Sequence, residues 1–190
     1  IGKLTVNNSC FYREYVLGDD TPEMRATSMV ISQALQQPFF TEMRTNQQLG
    51  YIVWSYARNR DETHYLSFVI QSGAFTADDV NQRAADFIAS TPEFLASMDG
   101  ETFNQLKKSA IEQLEKKPMS IRERANKLKT FIFEHNADFQ RDDKTIAALK
   151  KLDQTSAVDL LANTVSKDTR RMVNCLMFAE HHDNPTGVKS

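Results

Sequence analysis

The 190 residues are 41% hydrophobic and 25% charged, the balance of a globular chain rather than a disordered one. Twenty-three basic and 25 acidic side chains, net charge -2, are well mixed along the sequence, which argues against a nucleic-acid partner because that needs a basic face. No apolar run approaches the roughly 18 to 20 residues that cross a bilayer, so membrane insertion is not expected.

The chain begins at Ile1 rather than methionine and is expected to be a piece of a larger polypeptide. CFYREYVL, Cys10 to Leu17, alternates Phe11, Tyr15 and Leu17 on one face and reads as a first strand. Asp20 to Glu23 has the D-x-x-E form of a helix start, with Pro22 inside it. Thr27, Val30, Ile31, Ala34 and Leu35 then share a helical stripe that Pro38 should end or kink. A second short turn through Met43 reaches Gly50, which fits the left-handed position just past a helix. YIVWSYA (Tyr51 to Ala57) and HYLSFVIQS (His64 to Ser72) are the strongest strands, and the polar link Arg58 to Thr63 makes them an antiparallel hairpin.

A helical half follows. Thr76 can cap a helix with Val80, Ala84, Phe87 and Ile88, and Thr91-Pro92 marks a restart or kink. Asp99-Gly100 opens another, with Phe103, Leu106, Ala110 and Leu114 in register. S-x-x-E at Ser120 to Glu123 is a capping box for a helix whose Ala125, Leu128, Ile132 and His135 share one face. Shorter helices near Asp142 to Lys151 and Ser156 to Val165 precede a last strand, Met172 to Ala179. The order predicts one α+β domain over residues 1–180, a mainly antiparallel sheet with helices on one face, and a polar tail over 181–190.

Most catalytic signatures are missing. There is no phosphate-cradling glycine loop and no G-x-S-x-G elbow. FIFEH, Phe131 to His135, has the outline of the inverted zinc motif H-x-x-E-H, but phenylalanine cannot coordinate, so Phe131 reads as a core aromatic. His181-His182-Asp183 reads as a solvated tail, and Asp78-Asp79 and Asp142-Asp143 as acidic helix starts. Cys10 and Cys175 are either buried thiols or a pair.

What remains is RTNQQLGY, Arg44 to Tyr51, at the switch from helix to strand. Arg44 offers a charged fork of N–H donors and Tyr51 a neutral O–H donor. Two donors at one junction suit the carbonyl oxygens of a bound peptide, or an oxyanion forming there. Neither is a good general base, so the pair can polarise and position but cannot activate water. By spacing alone, a surface arginine beside a half-buried tyrosine fits as well.

The run MRTNQQLGYIVWSYARN, Met43 to Asn59, resembles the final domain of the pitrilysin–insulysin (insulinase) zinc metallopeptidases, whose members carry R-T-x-x-Q-L-G-Y-I-V after a helix. The LSFVIQS strand, the central helices and the LMFA strand are similar to that domain too. The resemblance implies a metallopeptidase-family (LuxS/MPP-like) fold and a parent of four related domains closing around a chamber. A missing N-terminal domain would hold zinc through H-x-x-E-H, and this chain would hold no metal. Arg44 and Tyr51 would hydrogen-bond the peptide substrate near the scissile bond, with Gly50 letting the chain turn between them. The partners implied are the peptide and the other domains of the same polypeptide; the isolated chain would be inactive. Some relatives on this fold have lost catalysis and serve as scaffold subunits, which is the alternative reading. A free-standing peptide binder working through an edge strand is a weaker third.

Overall fold

The computed structural model describes residues 7–180, so the expected tail and its His181-His182-Asp183 lie outside the described residues. Strand β1 (Ser9–Asp19) is followed by helix α1 (Pro22–Phe40), a π-helical turn (Thr41–Asn46), and the hairpin strands β2 (Ile52–Arg60) and β3 (Thr63–Ser72). Helices α2 (Ala77–Ser97), α3 (Gly100–Glu115), α4 (Ile121–Glu134), α5 (Arg141–Lys151) and α6 (Gln154–Val165) lead to β4 (Met172–Met177). The strands form one antiparallel sheet in the order β2-β3-β1-β4, giving the expected α+β class.

Period-two patterning places the core. Phe11, Tyr15, Val53, Leu66, Phe68 and Ile70 are buried on one sheet face, where Ile31, Leu35 and Phe39 of α1 and Val80, Ala84 and Ile88 of α2 meet them. The opposite face carries Tyr12, Trp54, Tyr56, Arg58, Val173 and Cys175, with Trp54 60% exposed. The hairpin turn is tighter than the sequence suggests: Asp61 and Glu62 both take positive φ, the two-residue turn that matches strand twist. Cys10 and Cys175 are both free thiols on neighbouring strands, and burial pushes the Cys10 thiol up.

Caps at Thr76, Asp99 and Ser120 form as expected, each side chain accepting a backbone N–H three residues on. Elsewhere the structure departs from the local pattern. Thr21, not Asp20, caps α1 by accepting from the Met24 N–H at 3.1 Å, which leaves Asp20 for another task. Pro38 and Pro92, expected to end or kink their helices, both lie within them. At Pro92 the missing N–H would have served the Ile88 carbonyl, and the Thr91 hydroxyl serves it instead at 2.7 Å. The α4 stripe does not reach the core: only Phe131 is buried on that helix, edge-on to Phe139, while Leu128 and Ile132 are 41% and 48% exposed.

Asp20 closes the fold at one end. Its carboxylate accepts from Arg25 Nε at 2.8 Å, His64 Nε2 at 2.8 Å and both terminal nitrogens of Arg141. One residue thus ties β1, α1, β3 and α5. Burial opposes its charge, yet the donors from Arg141, His64 and Arg25 outweigh that and hold the carboxyl far below the usual carboxylate range.

Candidate substrate-binding site

The turn between α1 and β2 is wound more widely than an α-helix, and its bonds show how. Gln47 N–H donates to the Glu42 carbonyl at 2.9 Å and Leu49 N–H to the Met43 carbonyl at 2.8 Å, spans of five and six residues. Pro38, lacking an N–H, sits just ahead of this widened turn. The reversal falls on Gln48, whose φ is +53°, and buried Leu49 pins the chain to the core.

Gly50 therefore has a different role from the one the sequence suggests. It is not left-handed; it is a point of close approach, because a Cβ there would lie 1.9 Å from the Gln71 carbonyl oxygen of β3. The amide-rich run also acts inward. Asn46 Nδ2 and Gln47 Nε2 donate to the two Glu42 carboxylate oxygens at 2.7 and 2.8 Å, and Gln47 Oε1 accepts from Arg83 of α2 at 3.3 Å. Those bonds, Gln47 first and Asn46 next, draw the Glu42 carboxyl below its ordinary value.

On this frame Arg44 and Tyr51 lie together. The guanidinium carbon of Arg44 stands 4.6 Å from the centre of the Tyr51 ring and 5.1 Å from that of Phe40. Arg44 Nη1 donates to the Tyr51 carbonyl at 3.1 Å, so one N–H of the fork fixes the start of β2. Tyr51 is 80% exposed, which rules out the half-buried placement that spacing alone allows. The arrangement presents a cation and a phenol on a rigid junction open to solvent. Both can donate to oxygen, and neither can take a proton from water.

Sequence reasoning missed Glu42, the anchor of the turn, and Phe40, the second ring under Arg44; the i, i+4 spacing of Phe40 and Arg44 was the available signal. Among the described residues no group of three His, Cys, Asp or Glu side chains could hold a metal ion. Zinc does not fit this set of residues.

Residues 30–129 match the family model described as PQQ synthase PqqF-like, C-terminal lobe domain 4. Protease 3 of Salmonella typhi is 28% identical over 149 residues, 78% of this chain and 16% of that protein. Insulin-degrading enzyme of Drosophila melanogaster is 25% identical over 179 residues, 93% of this chain and 18% of that protein. The fold is that of part of the crystal structure of pitrilysin, with a TM-score of 0.84 at 23% identity, over 92% of this chain and 19% of that one. The chain thus spans less than a fifth of each of these relatives. A domain matched this closely in sequence and fold belongs to the PqqF-like C-terminal lobe domain 4 family, the fourth domain of the pitrilysin–insulysin (insulinase, M16) peptidases.

Proposed function

We propose that this chain is the substrate-binding C-terminal domain of a multi-domain zinc endopeptidase, and that Arg44 and Tyr51 donate to peptide oxygens near the scissile bond. The observation that carries the reading is the exposed Tyr51 phenol set against the Arg44 guanidinium at 4.6 Å. Arg44 stands against two aromatic rings and spends one N–H on a backbone carbonyl, which leaves the rest of its fork of donors for a ligand. Zinc and the water-activating base belong to another domain of the same polypeptide, and Gly50 sets the height of Tyr51 by letting the chain press against β3.

The test uses the complete polypeptide carrying this chain and a quenched-fluorescent peptide. Tyr51→Phe keeps the ring under Arg44 and removes only the hydroxyl, so kcat/KM should fall by about 2–4 kcal/mol while the melting temperature stays put. Arg44→Ala should cost as much in rate and slightly more in stability, since it also bares two rings. Wild-type turnover in both variants would remove the assignment.

A further inference from the structure

Helix α4 is amphipathic, but its apolar stripe is exposed and lies outside the core cluster. Ile121, Ala125, Leu128 and Ile132 follow one another at helical spacing, and all four are exposed, Ile121 to 90%. Met119 just before the helix is 85% exposed and Phe133 at its end 77%. A helix whose apolar stripe stays in water gains little from tertiary packing, the usual source of helix stability in proteins. Arg122, Arg124 and Lys129 flank the stripe, while Glu123 and Glu134 lie on the far side of the helix. Beside Leu128, a cavity of about 400 Å³ is lined by Lys117, Pro118, Arg124, Lys127 and Phe131.

We infer that the α4 stripe is the seat of the adjoining domain of the same C-terminal lobe, through an apolar ridge with an acidic rim. The inference rests on the multi-domain reading above and adds to it the surface and its chemistry. Size separates this occupant from a second copy. Fourteen residues make a helix about 21 Å long and 10–12 Å wide, so the stripe offers about 200 Å². A free-standing dimer needs about 800 Å² from each partner. A domain joined covalently needs far less, because its effective concentration is already on the order of millimolar. The family assignment, domain 4 of a lobe within proteins about five times as long, supplies such a neighbour. The arginines and lysine beside the stripe select acidic residues around the incoming ridge, and the cavity next to Leu128 takes one of its apolar side chains.

Hydroxyl-radical footprinting of the complete polypeptide tests this without altering the chain, since methionine and aromatic side chains report directly. Met119 and Phe133 should be modified at least fivefold more slowly in the complete polypeptide than in the 190-residue chain, with exposed Trp54 as the internal reference. Ile121→Asp with Leu128→Asp should restore their modification and lower the melting temperature of the complete polypeptide by several degrees. The same pair of changes should leave the 190-residue chain's melting temperature within about a degree, as surface substitutions do. Equal modification in both proteins would overturn the inference. So would protection already present in the monomeric 190-residue chain, or protection that vanishes on dilution, which would indicate a second copy. Peptidase activity is read separately through Tyr51→Phe, so a failure here is distinguishable from a failure of the substrate-binding reading.

Discussion

Arg141 grips Asp20 across 121 residues of sequence, both terminal guanidinium nitrogens on one carboxylate, and neither side chain is more than 11% exposed. A buried charge is tolerable only while its partner remains, and here two cations, Arg25 and Arg141, share one anion. Arg25 Nη1 is buried without a partner even so. Asp20→Asn should therefore cost about 3 kcal/mol, visible as a lower urea midpoint with unchanged slope. Replacing Asp20 and Arg141 together by Asn and Met should cost less than Asp20→Asn and Arg141→Met summed, because fewer charges are stranded. Simple additivity would mean that the two side chains do not act as a unit.

The same cluster sets an acid limit. Burial is the largest influence on His64 and holds its imidazole below its usual value, so the neutral ring donates through Nε2 to Asp20, with its Nδ1 3.1 Å from Ser28 Oγ. A histidine lowered in the folded state contributes stability that is complete above about pH 6.5, its unfolded value, and lost as pH falls below that. Asp20, lowered as well, contributes stability complete above about pH 4 and lost on further acidification. Both signs agree. The urea midpoint should be flat from pH 8 to 7, decline below about 6.5, and drop again below about 4. His135 is also lowered, by burial first and then by Arg141, so His64→Gln and His135→Gln should each flatten part of the upper decline. A midpoint that rises between pH 6.5 and 5 would contradict the assignment.

Much of the fold was legible because short-range rules decided it. Thr76, Asp99 and Ser120 each have a polar oxygen three residues before an N–H that needs it, and alternation in β1 and β3 fixes which face is buried. The failures are places where distant residues decide. Asp20 looked like a cap but is claimed by Arg141, and a residue so far along the chain leaves no local trace. The α4 stripe has the pattern of a core helix, and pattern alone cannot say which body supplies the core. At the candidate site, Arg44 and Tyr51 could be picked out as donors. The widened turn that aims them depends on Glu42 and on the Gln71 backbone, neither of which a motif announces.

Glu42 should be a positioning residue for that turn. Its two side-chain bonds are solvent-accessible, so Glu42→Ala should cost about 1 kcal/mol in overall stability or less. The sharper effect is local. Amide exchange at Gln47 and Leu49, whose N–H groups close the wide turn, should quicken in the variant while exchange in β3 stays slow. Because the Glu42 carboxyl is lowered by these bonds, its contribution is full at neutral pH and disappears as pH falls through the acid range. Unchanged exchange at both amides would show that the turn is held by its backbone alone.

Two neighbouring substitutions separate the two explanations of the glycine. If Gly50 were needed for a left-handed backbone, alanine there would be strained but would fit. The close approach to β3 predicts something harsher, since the new Cβ would sit 1.9 Å from the Gln71 oxygen and 2.8 Å from its carbonyl carbon. Backbone on both sides leaves no flexible side chain to move aside, so Gly50→Ala should cost about 2–3 kcal/mol. It should also displace Tyr51, lowering kcat/KM of the complete polypeptide at temperatures where the variant is still folded. At Gln48, where φ is +53°, glycine relieves a conformation that side chains disfavour, so Gln48→Gly should be neutral or stabilising by up to about 1 kcal/mol. A tolerated Gly50→Ala together with a damaging Gln48→Gly would reverse the roles given to these two residues, and with them the account of how Tyr51 is held out towards a substrate.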